Sequence, residues 1–296
     1  MKKKLTVFAL VLVGLLIFLC YRTIYDDEIT AKSPNGKDYQ DNYSSSEDNY
    51  SSSEDSYGSP LPKCGTKEYD PANQICDSRD NIIYRYANIG KQIWLTENLN
   101  YAADSSKCYD DSSSNCNKYG RLYDWATAIG LPENCNDADY CVSHDECKIS
   151  KKNNDICPVG WHLPNREEWK ILLSYVGNDY KDYEHEGFVS TAGTKLKAKN
   201  GWTNNNNGTD DYNFAALPGG FSEPSRVISD EYGYPPGKPI YVKGGFSEIG
   251  RKGYWWVAEC TDAVGGGSLF WATGDESFRM DIYYGKYGLS VRCVKD

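Results

Sequence analysis

Cysteine is the residue type whose number and spacing point most directly to chemistry in this chain, with eleven copies in 296 residues. Cysteines serve as metal ligands, nucleophiles or disulfide partners, and spacing helps to separate these uses. Zinc ribbons need paired Cys-x-x-Cys motifs, which the sequence lacks, and it has three histidines. Apart from Cys20, ten cysteines remain. The first 25 residues are typical of an export signal, and an even number of cysteines after such a signal predicts up to five disulfides in an oxidising compartment.

Two of these disulfides can be proposed from local spacing. Cys64 with Cys76, and Cys108 with Cys116, would each close a short loop that is rich in turn-forming residues. We therefore predict both pairs.

The other polar clusters are better explained by folding than by catalysis. His144–Cys147 is the one local run of metal-ligand types, and a surface loop with a disulfide accounts for it. His162 lies inside an aromatic motif, where packing is its expected role, and the Glu167–Glu168 pair suits the amino terminus of a helix. Glu97 and Glu259 would act as acid and base only if the fold brought them together. We predict no catalytic residue, no metal ligand and no cofactor.

The amino terminus is typical of a targeting segment, predicted over residues 1–25. Met1–Lys4 is positively charged, and Leu5–Leu19 is a mostly apolar run. Cys20 ends the run, as the acylated cysteine of a bacterial lipoprotein does, but Ile17–Leu19 lacks the small residue expected before that cleavage site. The run is also slightly short of the roughly 20 residues of a full span. A lipid anchor at Cys20, an uncleaved membrane anchor and a cleaved product all stay open.

Residues 26–60 form a predicted disordered tether. The segment holds a tandem repeat, Asn42–Asp48 and Asn49–Asp55, and residues 26–59 carry nine acidic and two basic side chains. Such residues bury too little apolar surface to offset the entropy of ordering. A spacer between envelope and domain is the favoured role, and a modified or recognised acidic tract is the alternative.

The charge of the chain excludes one large class of partner. Its formal net charge is −10, and no segment after the first lysines carries a basic patch. Binding to a phosphate backbone depends on such patches. We therefore expect no nucleic-acid partner.

Two helices are predicted from apolar periodicity. Asn165 followed by Glu168 is a capping box, and apolar residues then repeat at helical spacing up to Gly177. A second helix is predicted over residues 121–129, with Gly130 ending it.

The predicted strands are short and lie between Gly-rich turns. Together with the helices they indicate an α+β domain over residues 81–296, preceded by a short disulfide-closed segment over 61–80. Residues 221–250 contain four prolines and no periodicity, which predicts an irregular surface loop. The predicted strands are 82–86, 91–95, 254–258, 269–273, 279–283 and 289–294.

Seven sequence blocks between residues 81 and 296 occur in the order of a known family. They include Cys157–Trp169 (Cys-Pro-Val-Gly-Trp-His-Leu-Pro-Asn-Arg-Glu-Glu-Trp), Gly253–Glu259 with its Tyr-Trp-Trp, and Ser290–Val294. These blocks resemble the major paralogous domain described from Fibrobacter succinogenes, a repeated secreted module. The resemblance implies a C-type-lectin-like fold with short antiparallel strands, two main helices and long loops, and it assigns no chemistry. The other four blocks are 90–101, 108–125, 195–202 and 212–220.

The resemblance also implies a third disulfide. In lectin-like domains a cysteine that opens a helical segment pairs with one on the last strand, which corresponds here to Cys157 and Cys293. Four cysteines then have three possible pairings that the sequence leaves open. They are Cys135, Cys141, Cys147 and Cys260.

A more distant likeness concerns an enzyme family. Leu163–Trp169 is similar to a block of formylglycine-generating enzymes, which share a related lectin-like fold and bind copper through a cysteine pair near the carboxyl end. Here Cys260 and Cys293 are far apart in sequence, and the implied bridge to Cys157 accounts for Cys293. The Glu-Pro-Asn, Gln-Pro-Asp and Trp-Asn-Asp triplets of calcium-dependent lectins do not occur. The shared residues indicate a common fold rather than a common activity.

Aromatic side chains are the remaining candidates for a binding surface, because Tyr and Trp stack on sugar rings and anchor interfaces. Strand alternation puts one of Trp255 and Trp256 in the core and the other on the opposite, exposed face. Tyr234 and Tyr241 lie in the long loop, where lectin-like folds bind ligands. We expect an exported, envelope-attached, non-catalytic binding or adhesion module, with polysaccharide or another envelope component as its partner. The alternatives are a structural envelope protein without a specific ligand, and an enzyme related to formylglycine-generating enzymes.

Overall fold

A computed structural model describes residues 60–149, 155–177, 191–228, 240–260, 266–272 and 278–296. The predicted targeting segment, residues 26–59 of the predicted tether, and Tyr234 lie outside the described residues. Within the described ranges, no helix combines the length and the apolar composition needed to span a membrane.

The described residues form a mixed fold in which short antiparallel strands dominate. The strands are β1 Lys63–Cys64, β2 Lys67–Glu68, β3 Gln74–Asp77, β4 Ile82–Ile89, β5 Gln92–Leu95, β6 Trp161–His162, β7 Phe221–Ser222, β8 Arg226–Ile228, β9 Ile240–Val242, β10 Phe246–Ser247, β11 Gly253–Trp256, β12 Gly266–Ala272, β13 Phe278–Tyr284 and β14 Val294–Lys295. The largest sheet has the strand order β3-β4-β5-β14-β6, and a three-stranded sheet has the order β11-β12-β13. Three two-stranded ribbons pair β1 with β2, β7 with β10 and β8 with β9.

The helices are short, with one exception of 12 residues. Three single turns of 3-10 helix cover Tyr109–Asp111, Glu133–Asn136 and Asp145–Cys147. The α-helices are α1 Ser113–Tyr119, α2 Trp125–Ile129, α3 Ala138–Ser143, α4 Arg166–Gly177 and α5 Gly193–Leu196.

Helix α4 confirms the predicted capping box. The Glu168 amide donates to Asn165 Oδ1 at 3.0 Å, and the Asn165 amide donates to Glu168 Oε2 at 2.8 Å. Two amides that have no partner inside the helix are thereby satisfied. The apolar face of α4 is buried, including Trp169 and Leu172.

The prediction of a second helix over residues 121–129 is wrong in its first half. Leu122 and Tyr123 are extended and make bridges to Lys107 and Leu289. Helix α2 begins at Trp125, because the side chain of Asp124 accepts a hydrogen bond from the amide of Thr127 at 2.9 Å. Apolar spacing continues across this cap, so periodicity alone predicts a helix that starts too early.

The prediction of an irregular loop over 221–250 is also wrong in part. Strands β7, β8, β9 and β10 lie in this segment and pair as two antiparallel ribbons. Pro224 lies between β7 and β8, where it takes no part in a ladder. These strands have two or three residues each, too few for alternation to be visible in the sequence.

The core consists of two hydrophobic clusters on opposite sides of shared strands. One contains Trp125, Tyr254 and Trp256, and the other contains Trp169 and Trp255. Because neighbouring residues of β11 belong to different clusters, this strand is buried on both faces.

Five disulfides join the described cysteines. The three predicted pairs, Cys64–Cys76, Cys108–Cys116 and Cys157–Cys293, are present. The four cysteines whose pairing the sequence did not decide form Cys135–Cys147 and Cys141–Cys260. The Cys64–Cys76 loop is continuous with the main sheet, since β3 pairs with β4.

Candidate functional site

Residues from separate sequence blocks meet in a buried polar network. Arg292 is fully buried, and its Nε and Nη2 donate to Asn98 Oδ1 at 3.2 and 2.7 Å. Trp255 Nε1 donates to the same oxygen at 2.9 Å, and Asn98 Nδ2 donates to the carbonyl oxygen of Tyr119 at 2.8 Å. Burial lowers the pKa of Arg292. With these atoms closed off from solvent, the network supports the fold and offers no ligand site.

The expectation that one of Trp255 and Trp256 faces solvent is wrong, since both side chains are fully buried. Alternation does place them on opposite faces of β11, but each face packs on a different hydrophobic cluster. Trp256 Nε1 also donates to the carbonyl oxygen of Tyr123 at 2.6 Å. Neither tryptophan is available to stack on a ligand.

Tyr241 is the predicted candidate that the structure does expose, at 77% of its surface. It lies on β9 and lines a shallow cleft of about 320 Å³ together with Arg226 and Lys243. The structure does not bring it together with Trp255 or Trp256, which are buried.

His162 is held by two carboxylates. Its Nε2 lies 2.8 Å from Glu168 Oε1, and its Nδ1 lies 2.7 Å from Asp296 Oδ1. The hydrogen bond that His162 donates to Glu168, with the one that it donates to Asp296, raises the pKa of His162 to about 9 against the cost of burial. A protonated imidazole that donates from both nitrogens is an ion-pair partner rather than a general base.

Glu97 and Glu259 are each paired with an arginine. Glu97 accepts from Arg85 Nε at 3.0 Å, and Glu259 Oε2 lies 3.6 Å from Arg166 Nε. Each carboxylate therefore has an arginine partner.

A cleft with a volume of about 590 Å³ lies elsewhere on the described part of the chain. Its lining comes from residues 133–144 and from Lys286, and we call it the braced cleft. The rings of Tyr140 and His144 stack in parallel within it, with centroids 3.6 Å apart and planes 8° apart. Its polar lining comprises Glu133, Asn134, Asp137, Asp139, Ser143 and Lys286.

Two disulfides fix the segment that forms this cleft. Cys135–Cys147 closes the segment on itself, and Cys141–Cys260 ties α3 to the chain that follows β11. Three of these cysteines are buried in the first hydrophobic cluster, with Cys260 packed against it. The lining residues therefore project from a segment that is covalently attached to the core.

Hydrogen bonds hold the Tyr140 ring, and close packing holds the turn that carries Lys286. Tyr140 Oη donates to Glu146 Oε1 at 2.7 Å, and Asn134 Nδ2 donates to the same oxygen at 2.9 Å. The turn at Gly285 lies so close to Asn136 that an added Cβ would come within 2.7 Å of its carbonyl oxygen. Only glycine permits this approach.

Sequence reasoning missed the braced cleft. Two partial signals were visible, the cysteines at 135, 141 and 147 and the His144–Cys147 run, and they indicate a rigid exposed loop with a disulfide but not a cleft. Lys286 is brought beside that segment only by the turn after β13. Among the described residues, no group of three or more His, Cys, Asp or Glu side chains is arranged to hold a metal ion.

A family model described as the Fibrobacter succinogenes major domain matches residues 87–295. The chain belongs to this family. No curated protein and no solved structure matches the chain. In this Fibrobacter succinogenes major domain, Asn98, Trp255 and Arg292 come from three of the family-like blocks and form the buried network described above. These three residues therefore maintain the fold of the family domain.

Proposed function

We propose that the protein is an exported, envelope-attached, non-catalytic binding module of lectin-like architecture, and that it binds polysaccharide in the braced cleft. The observation that carries the proposal is the stacked Tyr140–His144 pair inside a cleft of about 590 Å³. Pockets of this size are typical of small-molecule and sugar-sized ligands.

The side chains around the rings suit a polyhydroxylated ligand. Glu133, Asp137 and Asp139 supply carboxylate acceptors, and Asn134 supplies both a donor and an acceptor. Sugar hydroxyls both donate and accept, while the apolar face of a sugar ring packs on an aromatic ring. The lining thus provides both kinds of contact that carbohydrate recognition uses.

The covalent bracing supports a binding role. A loop that must be ordered on binding costs free energy for each side chain it immobilises, about 0.5–1.5 kcal/mol. Cys135–Cys147 and Cys141–Cys260 order the braced cleft before any ligand arrives. Its contacts can then contribute to affinity without that cost.

The proposed location rests on the amino-terminal sequence. A charged start followed by an apolar run is typical of export signals. Five disulfides in the described domain are what an oxidising compartment outside the cytoplasm permits.

A glycan array probed with the purified exported chain tests the proposal. We expect retention on a limited set of plant-wall or envelope glycans, and its loss in Tyr140→Ala. Tyr175→Ala is the matched control, because Tyr175 is an exposed tyrosine on α4 outside the braced cleft. Absence of binding to every glycan on the array, with the protein folded, would contradict the proposal and favour a structural envelope protein.

A further inference from the structure

Two loops on the domain form a third cleft, which we call the loop cleft. It has a volume of about 330 Å³, and it lies between residues 202–206 and residues 248–252. Trp202 is 5% exposed and forms its floor, with Nε1 donating to the carbonyl oxygen of Ala216 at 3.0 Å. The polar lining is Thr203, Asn204, Asn206, Glu248, Arg251 and Lys252.

The two loops are fixed to each other by backbone contacts. The amide and the Oγ1 of Thr203 both donate to the carbonyl oxygen of Gly250, at 2.8 and 3.0 Å. The Gly250 amide donates to the carbonyl oxygen of Pro218 at 2.9 Å. The loop cleft is therefore formed before a ligand binds.

The backbone of the loop cleft is held in an unusual conformation. Asn204 and Asn205 have φ values of 58° and 59°, which asparagine tolerates, but Glu248 has a φ of 71°. The left-handed region is unfavourable for glutamate, so the surrounding structure must hold Glu248 in this conformation. In this conformation its carbonyl oxygen accepts from the amides of both Arg251 and Lys252 at 3.0 Å.

That turn brings three charges to one wall of the loop cleft. Arg251 Nε lies 3.2 Å from Glu248 Oε2, and Lys252 Nζ lies 3.7 Å from Glu248 Oε1. The lining thus carries two cations, Arg251 and Lys252, and one carboxylate, Glu248, which leaves one net positive charge on a chain whose net charge is −10.

We infer that the loop cleft binds an acidic sugar, that is, a uronic acid unit of a polysaccharide. The Arg251 side chain is 64% exposed, so its guanidinium can reach a ligand carboxylate while Nε stays beside Glu248. Guanidinium and carboxylate form strong paired hydrogen bonds. The carboxamides of Asn204 and Asn206 can both donate to and accept from the ring hydroxyls.

The same geometry argues against a longer polyanion such as a nucleic acid. Its positive balance is confined to one small cleft, whereas a phosphate backbone needs a basic surface many residues long. The amide-rich lining also favours a ligand that carries hydroxyls beside its charge. This site is separate from the braced cleft, whose lining has three carboxylates and one lysine.

Calorimetric titration of the full exported chain with a galacturonic acid oligomer tests the inference. A neutral glucose oligomer of the same length and inorganic phosphate serve as comparison ligands. We expect the uronate oligomer to bind at least about tenfold more tightly than either, and to weaken as salt rises from about 0.05 to 0.5 M.

Arg251→Gln should weaken uronate binding by about tenfold or more, which corresponds to about 1.4 kcal/mol or more. Arg85→Gln is the matched control, since Arg85 is equally exposed at 64% and also pairs with a glutamate, Glu97. Asn206→Ala tests the hydroxyl contacts, because Asn206 lines the cleft without a left-handed backbone, and should weaken binding by about three- to tenfold.

Three results would overturn the inference. One is uronate binding that Arg251→Gln leaves unchanged, and another is equal affinity for the neutral oligomer. Inorganic phosphate that binds as tightly as the uronate oligomer would show a bare anion site instead of a sugar site. If no neutral glycan on the array binds, that result counts against the braced cleft only. The loop cleft is tested separately, by the uronate titration and by its own variants.

Discussion

Arg292 and Asn98, which are 194 residues apart in the sequence, are joined by two hydrogen bonds in the centre of the domain. The guanidinium also donates to the carbonyl oxygens of Leu95 and Phe214, and its carbon lies 4.5 Å from the centre of the Phe214 ring. A buried charge is tolerated only when its donors are satisfied. One carboxamide therefore links the first and last parts of the family domain.

Replacing Asn98 with Ala should be among the most damaging single changes. It leaves Trp255 Nε1 and two donors of Arg292 without their acceptor, and an unsatisfied buried group costs about 1–3 kcal/mol. We expect a loss of about 3–5 kcal/mol in the free energy of unfolding, measured by denaturant titration with the disulfides intact. Asn73→Ala, an exposed asparagine, is the control and should change stability by less than about 0.5 kcal/mol. An equal loss in the free energy of unfolding for the two variants would show that the Asn98 network does not stabilise the domain.

Gly120 should reject a side chain for a second reason besides its φ of 77°. A Cβ there would come within 2.7 Å of Asn98 Cβ and of the carbonyl oxygen of Leu99. Gly160 has a similar φ of 81° but no atom within 4 Å of an added Cβ, so Gly160→Ala measures the backbone strain alone. Thermal unfolding should show a larger drop for Gly120→Ala than for Gly160→Ala. Equal drops would mean that contact with Asn98 is unimportant.

The raised pKa of His162 predicts a specific pH dependence of the free energy of unfolding. Its pKa is about 9 in the folded domain against 6.5 as a free side chain, chiefly because of Glu168. Since the folded pKa is raised, the stabilisation is fully present below about pH 6.5 and is lost as the pH rises through about 9. The side chain is partly exposed, so we expect a contribution of about 1–2 kcal/mol after solvent screening.

The measurement is the free energy of unfolding at several pH values between 6 and 10, for the wild type and for His162→Gln. The wild type should lose more stability than the variant over this range, because only the wild type has the titrating ion pair. Parallel curves for the two proteins would contradict the assigned ion pair.

These cases show which features the sequence could predict. Helix α4 was predictable because Asn165 and Glu168 are local signals three residues apart. The burial of both Trp255 and Trp256 was not predictable. Alternation shows that the strand has two faces, but it does not show that each face packs on a hydrophobic cluster of its own. The braced cleft was missed for a related reason, since it requires Lys286 to meet a segment that is remote in sequence.

The Cys141–Cys260 disulfide should contribute to both stability and binding. It closes a loop with a sequence separation of 119 residues, for which chain entropy predicts about 4–5 kcal/mol. The double change Cys141→Ser with Cys260→Ser should lower the melting temperature and reduce glycan affinity by about tenfold, because the braced cleft loses its tie to the core. The double change Cys64→Ser with Cys76→Ser should lower stability without reducing affinity. Equal losses of affinity in both would show that global stability, not bracing, controls binding.

The central claim is that the braced cleft binds polysaccharide, and a pull-down on insoluble polysaccharide tests it most directly. The wild-type chain, Tyr140→Ala and the matched Tyr175→Ala would be incubated with plant-wall and envelope fractions that contain no uronic acid, so that the loop cleft does not contribute, and the bound fraction measured. We predict that the wild type and Tyr175→Ala are retained on the same fraction, while Tyr140→Ala stays in solution although it is folded. Retention of Tyr140→Ala at the wild-type level, or no retention of the wild type on any fraction, would contradict the claim.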